Sequence, residues 1–184
     1  MDNQTVSLIG YRATGKTTVS VLLAKKLAES DPRWRAVDSD VEIEKAVDKT
    51  IAQIFQEEGE LSFRDKETWM INCLCRDPQT VIATGGGAIV RPENRDALKR
   101  WTTVVWLQAP IETIFQRMFG DKMTETRRPN LTEETDPKEE IKKVLTERTP
   151  WYQEIAQIIV DTDGKSPEQI TDEIYAALKY TAST

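Results

Sequence analysis

Short runs of β-branched and apolar residues alternate along the chain with longer segments in which apolar residues recur every three or four positions. The short runs are typical of buried strands, and the longer spacing is typical of helices that bury one face. The predicted strands are residues 5–9, 34–37, 80–84, 102–107 and 158–160. The predicted helices are residues 17–28, 41–47, 50–58, 63–75, 92–100, 110–119, 137–148 and 166–180.

This alternation predicts an α/β fold in which a five-stranded parallel sheet is covered by helices on both faces. The chain has 184 residues without a linker or an internal repeat, so we expect residues 1–184 to form a single domain. Residues 120–136 break the pattern because they are polar and charged and lack apolar periodicity. A loop of that length is typical of a lid or a disordered segment, and we expect a mobile lid there.

Composition excludes several classes of function. The chain contains no histidine, which excludes histidine-based catalytic triads and histidine-ligated metal centres. The net charge of −6 argues against a nucleic acid held by bulk electrostatics. No run of 18 apolar residues is present, and the first residues do not resemble a signal peptide. We expect a cytoplasmic protein, monomeric, with no nucleic-acid or membrane partner.

The segment Gly-Tyr-Arg-Ala-Thr-Gly-Lys-Thr at residues 10–17 fits the phosphate-binding P-loop pattern G-x-x-x-x-G-K-[ST]. An ordinary glycine-rich turn is the alternative, but a strand before the segment and a helix after it favour a P-loop. Gly10 and Gly15 let backbone N–H groups surround a phosphate, and the helix N-terminus adds a partial positive charge. Lys16 would reach the β- and γ-phosphates of a nucleotide, and the Thr17 hydroxyl would contribute to a Mg²⁺ site.

Asp38 and Asp40 follow the second predicted strand, at the same edge of the sheet as the P-loop. Asp38 would hold a water of the Mg²⁺ shell, and Asp40 would point the same way if the strand geometry continued. Asp40 would then hydrogen-bond to the hydroxyl of an acceptor and take its proton. The alternative is helix capping, because Ser39 and Glu42 have the spacing of a capping box, and both interpretations are compatible.

Gly85, Gly86 and Gly87 follow the third predicted strand. A tight turn would explain them, but three glycines are costly in backbone entropy, so close approach of the backbone to a ligand is the better interpretation. Each of three arginines has a plain alternative when it is considered singly. Arg64 could form an ion pair with Glu67 on a solvated helix face, Arg148 could cap helix carbonyls, and Arg128 could be a surface charge.

The combination of these motifs resembles the shikimate kinase family, and the resemblance covers nearly the whole chain. The P-loop is followed by D-x-D at 38–40, F-R-x-x-E at 63–67 and G-G-G-A at 85–88. R-P-x-L at 128–131 and R-x-P-x-Y at 148–152 complete the series. Each motif is short, but their order and spacing are specific, whereas the P-loop alone would indicate only an NTPase.

The resemblance implies a nucleoside-monophosphate-kinase-like fold and the ATP-dependent phosphorylation of the 3-hydroxyl of shikimate in aromatic amino-acid biosynthesis. It implies that Lys16, Asp40 and Arg128 are catalytic and that Thr17 and Asp38 serve Mg²⁺. The residues implied to bind ATP are Gly10, Arg12, Ala13, Thr14, Gly15, Lys16, Thr17, Thr18 and Arg128. The residues implied to bind shikimate are Asp40, Arg64, Gly85, Gly86, Gly87 and Arg148, with Glu67 orienting Arg64.

Two departures from the family pattern bear on the site. Asn130 stands where the family usually has an apolar residue, which leaves the contacts of the lid open. Arg12 lies inside the P-loop, and the sequence leaves open whether it contacts phosphate or substrate.

Two other functions fit the motifs less well. The main rival enzyme is another small-molecule kinase of the same fold, such as a gluconate kinase. A neutral or nucleotide acceptor would leave Arg64 and Arg148 harder to explain, because paired arginines suit a carboxylate. A regulatory module that binds ligand without catalysis is disfavoured because Lys16, Asp38 and Asp40 are intact.

Overall fold

Strands and helices alternate through the described part of the chain, which is residues 4–120 and 136–181 of a computed structural model. The strands are β1 (Thr5–Ile9), β2 (Arg35–Asp38), β3 (Thr80–Ala83), β4 (Thr103–Gln108) and β5 (Ile158–Asp161). The helices are α1 (Lys16–Ala28), α2 (Ser39–Val47), α3 (Ile51–Leu74), α4 (Pro92–Trp101), α5 (Ile111–Gly120), α6 (Pro137–Ile155) and α7 (Pro167–Thr181). All predicted strands and helices are therefore present.

The five described strands form one sheet in the order β2-β3-β1-β4-β5, and every neighbouring pair is parallel. The central strand β1 pairs on one side with β3, where Thr5 lies beside Thr80, and on the other with β4, where Val6 lies beside Thr103. This confirms the predicted five-stranded parallel sheet. Because the carboxyl ends of parallel strands meet at one edge, the loops that follow β1, β2 and β3 are brought together.

Two apolar clusters occupy the two faces of the sheet. On one face, α3, α4 and α6 pack through Ile71, Leu98 and Tyr152. On the other face, α1 and α7 pack through Leu23 and Ile174. Buried runs such as β1, in which all five residues are buried, are expected when both faces are covered. The sheet therefore forms a rigid platform for the loops at its edge.

Helix α2 begins earlier than predicted and is capped by a different residue. Its first residue is Ser39, and its N-cap is Asp38, whose side chain accepts a hydrogen bond from the Asp40 N–H at 3.0 Å. The alternative interpretation, helix capping, is thus present, but Asp38 makes the cap instead of a capping box of Ser39 and Glu42. Asp40 also lies on the first turn of the helix, so the strand geometry that would have aimed it alongside Asp38 does not continue.

Helix α6 extends seven residues beyond the predicted end at residue 148 and has Pro150 in its interior. The prediction ended the helix there because proline removes a backbone donor and crowds the preceding turn. Tyr152 and Ile155, which follow Pro150, are both buried in the core on one face of the sheet. Their packing outweighs the local cost of the proline, as tertiary contacts commonly do.

The two helices predicted on either side of residue 59 are joined into α3, and Gly59 between them has non-helical dihedral angles of φ 83° and ψ 172°. None of the described helices is both long enough and apolar enough to cross a membrane. The predicted lid lies outside the described residues, except for Gly120 and Asp136 at its ends.

Candidate active site

The P-loop connects β1 directly to α1 and has the backbone strain that its sequence predicts. Gly10 and Gly15 have φ of 143° and 94°, and Ala13 is a non-glycine residue with a positive φ of 62°. A Cβ atom on Gly10 would lie 2.3 Å from the Leu107 carbonyl oxygen, so only glycine fits there. Helix α1 begins at Lys16, so the backbone N–H groups of the first turn of the helix, which have no partner within the helix, face the loop.

Lys16 is held within its own loop. It is 7% exposed, and its Nζ donates hydrogen bonds of 2.8 Å to the carbonyl oxygens of Gly10 and Tyr11. Thr14 Oγ1 donates to the same Tyr11 oxygen at 2.8 Å. The ammonium group therefore lies at the centre of the loop, where an anion bound by the backbone would meet it.

Thr17 and Asp38 meet across the gap between the P-loop and β2. Thr17 Oγ1 donates to Asp38 Oδ2 at 2.8 Å, while Asp38 Oδ1 accepts from the backbone of Asp40. A hydroxyl and a carboxylate oxygen placed side by side beside a phosphate-binding loop are ligands that Mg²⁺ accepts, usually with several waters. The two residues predicted to serve the metal are therefore neighbours.

The three glycines after β3 make room for side chains of the site itself. A Cβ atom on Gly85 would lie 2.5 Å from Asp40 Oδ1, and one on Gly87 would lie 2.6 Å from Arg64 Nη1. The Gly85 N–H donates to the buried Ser39 Oγ at 2.9 Å. The close approach at Gly85 and Gly87 is made to side chains that line the site, which the sequence did not indicate, and the predicted approach of the backbone to a ligand stays a prediction.

Arg64 is fixed by carboxylates on its own helix. Its Nη1 donates to Glu67 Oε2 at 2.9 Å, and its Nη2 donates to Glu60 Oε1 at 3.0 Å. The side chains of Arg64 and Glu67 are 12% and 1% exposed, so this pair is not the solvated surface pair that was the alternative. Burial raises the pKa of Glu67 to about 6, although Arg64 opposes that shift.

Arg148 lies in the interior of α6, so it does not cap the end of that helix as the alternative supposed. It is 8% exposed, and its Nη1 donates to the Gly86 carbonyl oxygen at 2.9 Å. The Tyr152 hydroxyl, one turn further along α6, donates to the same oxygen at 3.3 Å. The helix that was expected to stop at residue 148 therefore supplies two contacts to the glycine segment.

Arg64, Arg148 and the glycines after β3 line one open pocket, whose space of about 570 Å³ includes part of the open solvent at its mouth. Its charged lining is three arginines and two carboxylates, which suits a small polar anion better than a neutral ligand. One wall is apolar, and Phe55 and Phe63 pack there with ring centroids 4.8 Å apart. The lining residues are Tyr11, Arg12, Asp40, Ile51, Phe55, Phe63, Arg64, Glu67, Gly85, Gly86, Gly87 and Arg148.

Comparison with known proteins bears directly on this pocket. The sequence profile of the family described as shikimate kinase matches residues 12–179. A shikimate kinase of Pseudomonas syringae pv. syringae is 42% identical over 171 residues, covering 93% of this chain and 94% of that protein. A shikimate kinase of Hahella chejuensis is 41% identical over 174 residues, covering 95% of this chain and 85% of that protein.

The chain belongs to the shikimate kinase family. A solved shikimate kinase from Acinetobacter baumannii in complex with shikimate is 34% identical and has a TM-score of 0.87. The match covers 97% of this chain and 94% of that protein. The activity is therefore the ATP-dependent phosphorylation of shikimate in aromatic amino-acid biosynthesis. The predicted nucleoside-monophosphate-kinase-like fold is confirmed as well.

The rival kinase of the same fold is not supported. A gluconokinase from Sinorhizobium meliloti is 13% identical with a TM-score of 0.56, so its likeness shows the fold alone. Family membership likewise favours a catalyst over a binding module without catalysis.

Most of the residues predicted for the site of this shikimate kinase lie together at one edge of the sheet. Arg128 lies outside the described residues. Sequence reasoning missed the apolar wall, although Phe63 stands at the head of the F-R-x-x-E motif and could have signalled it. It also missed two residues that contact the P-loop. Glu140 pairs with Arg12, and Arg117 Nη1 contacts the Ala13 carbonyl oxygen at 3.5 Å. No motif marks either residue.

Proposed function

We propose that this shikimate kinase binds shikimate in the pocket beside the P-loop, with Arg64 and Arg148 on its carboxylate and Asp40 on the hydroxyl that is phosphorylated. The observation that carries this proposal is the convergence of Arg64 and Arg148, which are 84 positions apart in the chain, on the same glycine segment. Two fixed guanidinium groups suit a planar carboxylate better than a neutral acceptor.

The acceptor site is prepared before shikimate arrives. Glu67 and Glu60 hold Arg64, and the Gly86 carbonyl oxygen holds Arg148, so little side-chain freedom is lost on binding. Backbone groups of Gly85, Gly86 and Gly87 complete the floor of the pocket. Phe55 and Phe63 would pack against the carbon skeleton of the ring and exclude water from one side of it.

Asp40 is the group proposed to act on the reacting hydroxyl. Asp40 lines the pocket on the first turn of α2, two residues after Asp38, the cap residue that contacts Thr17 of the P-loop. The oxygen of the 3-hydroxyl bonds to the γ-phosphorus as the bond from that phosphorus to ADP breaks, and the proton passes to Asp40. Because phosphoryl transfer has a loose transition state, positioning of the hydroxyl matters more than early removal of its proton.

The P-loop is proposed to hold ATP through Gly10, Arg12, Ala13, Thr14, Gly15 and Thr18 as well as Lys16 and Thr17. Lys16 would leave its loop carbonyl oxygens and stabilise the transferring phosphoryl group together with Arg128. Thr17 and Asp38 would hold Mg²⁺, whose bound form neutralises charge on the phosphates. Closure of the lid expected at residues 120–136 would limit hydrolysis of ATP by water.

We also still expect the protein to be monomeric, to form a single domain and to be cytoplasmic.

The test is an assay of ADP release with shikimate, quinate and gluconate as acceptors. We expect ADP release that depends on shikimate and is much lower with quinate or gluconate. The Arg64→Ala variant should lose shikimate affinity while keeping its affinity for ATP. Release of ADP that did not depend on shikimate would contradict the acceptor assignment.

A further inference from the structure

Arg12 and Glu140 form an ion pair between the P-loop and the first turn of α6. Arg12 Nη2 donates to Glu140 Oε1 at 2.6 Å, and the two side chains are only 10% and 5% exposed. The partners are 128 positions apart, so the pair depends entirely on the tertiary fold. A pair shielded in this way is costly to form unless its geometry is good, and it commonly specifies one arrangement of its elements.

The same helix makes a second polar contact, through Arg148, with the glycine segment that follows β3. Arg148 Nη1 donates to the Gly86 carbonyl oxygen, and a Cβ atom on Gly86 would lie 3.5 Å from the backbone nitrogen of Arg12. Glu140 and Arg148 are eight residues apart, which is about 12 Å along a helix, and positions spaced by four share a face. The two contacts therefore lie on one side of α6. One ends at the side chain of Arg12, and the other ends at Gly86, whose backbone passes close to that of Arg12.

Apolar packing fills the space between the two polar contacts. Tyr11 of the P-loop belongs to one buried cluster with Ile141 and Val144 of α6. Two polar contacts separated by an apolar one fix both the axial position and the rotation of the helix. The apolar contacts of α6 hold the helix against the sheet, while the two polar contacts, which are directional, define where the Arg148 guanidinium lies.

We propose that Glu140, through its pair with Arg12, is a positioning residue that sets the place of Arg148 in the acceptor site. The inference rests on the proposed role of Arg148 in holding the carboxylate of shikimate. Glu140 does not itself line the pocket, so its influence on shikimate passes through Arg148, which α6 carries, or through Arg12, and the test below separates the two. The pair also couples the P-loop to Arg148, because α6 carries Arg148 and contacts the P-loop through Glu140.

The test is a double-mutant cycle of Glu140→Gln and Arg148→Ala, with KM for shikimate, KM for ATP and kcat measured for each variant. Glu140→Gln keeps an acceptor oxygen but removes the charge. We expect it to raise KM for shikimate about tenfold and to raise KM for ATP by a smaller factor, because its partner Arg12 is among the residues proposed to hold ATP. In the Arg148→Ala background the same substitution should add less than about twofold, because the effect is transmitted by Arg148.

The matched control is the ion pair of Lys138 and Glu112, which also joins the first turn of α6 to another element but is 44% and 58% exposed. Lys138→Gln should leave all three kinetic parameters unchanged. Thermal unfolding of every variant separates a loss of folding from a loss of positioning. If Glu140→Gln does not fold, Glu140→Asp, which keeps the charge and shortens the reach, takes its place in the cycle.

Three results would overturn the proposal. An unchanged KM for shikimate in Glu140→Gln would remove the positioning role but leave the proposed function intact. An equal effect of Glu140→Gln with and without Arg148 would show that Glu140 acts through the charge of the pocket rather than through Arg148. An unchanged KM in Arg148→Ala alone would overturn the carboxylate role of Arg148 and this inference with it.

Discussion

The donor side and the acceptor side of the site are assembled in different ways. The donor side is centred on one continuous stretch, the P-loop at residues 10–17, which lies between strand β1 and helix α1. The acceptor side draws on α2, α3, α6 and the segment after β3, and its key side chains run from Asp40 to Arg148. A local motif can therefore reveal that a nucleotide binds, whereas the acceptor is defined only by residues that the fold brings together.

The two sides also hold their cations differently. On the donor side, Lys16 is bonded to neutral carbonyl oxygens of its own loop. On the acceptor side, Arg64 is bonded to two carboxylates, one of them almost fully buried. We expect the lysine to exchange its carbonyl partners for a phosphate, and the arginine to keep its partners while the rest of its guanidinium meets the ligand.

The largest expected effect is on the donor side. Lys16→Ala should lower kcat on the order of a thousandfold, because a buried cation that meets the transferring phosphoryl group is lost. Single-turnover kinetics with ATP and shikimate would measure it. Lys25→Ala, an exposed lysine on the same helix, is the control and should behave like the parent. A kcat near that of the parent in Lys16→Ala would remove this residue from the catalytic assignment.

Arg64→Ala should affect the acceptor side alone. Losing charge-assisted hydrogen bonds in a shielded site typically costs about 2 kcal/mol or more, which is roughly a thirtyfold loss of shikimate affinity. Titration calorimetry with shikimate and, separately, with an ATP analogue would measure both affinities. Arg33→Ala, which changes an arginine that is 64% exposed, should alter neither. An equal loss of both affinities would contradict the separation of the two sides.

Gly87→Ala should mimic a milder loss of Arg64. The new Cβ atom would lie 2.6 Å from Arg64 Nη1, so the guanidinium must move, and we expect KM for shikimate to rise roughly tenfold. Gly86→Ala is the matched comparison, because its Cβ atom would meet nothing closer than 3.5 Å. Steady-state kinetics of both variants would decide whether the glycines serve the side chains of the site; equal effects would argue against that role.

The smallest expected effect is a pH dependence from Glu67. Its pKa is raised by burial to about 6 in the folded protein, above the ordinary value of 4.5. The folded state therefore holds the proton more tightly, and this group's contribution to stability, complete below pH 4.5, is lost as the pH rises through about 6. Function follows the opposite direction, because the ionised form of Glu67 is the one that pairs with Arg64.

We therefore expect KM for shikimate to rise a few-fold as the pH falls through about 6, while KM for ATP changes less. Asp40 raises the pKa of Glu67 further and Arg148 lowers it, so the transition should shift when either is changed. In Glu67→Gln the high KM should persist at every pH without a transition near 6. A pH profile of the parent that is flat between 5 and 8 would contradict the role of Glu67 in holding Arg64.

By itself, the sequence determined the order of strands and helices, the parallel sheet and the P-loop. These features depend on local patterns: apolar periodicity, and glycines at fixed spacing before a lysine. The D-x-D and F-R-x-x-E motifs led to the proposed acceptor residues only through their combined resemblance to a family, since each motif alone was compatible with a surface role.

The tertiary structure alone decided how those residues meet. It placed Asp40 on a helix rather than on a strand, continued α6 past Pro150 so that Tyr152 joins Arg148, and paired Arg12 with Glu140 across 128 positions. Local propensity does not encode such contacts, because they form when the buried faces of distant helices pack on one sheet. The glycine segment at residues 85–87 shows this most clearly. The sequence shows the three glycines, but only the structure shows that the side chains of Asp40 and Arg64 require them.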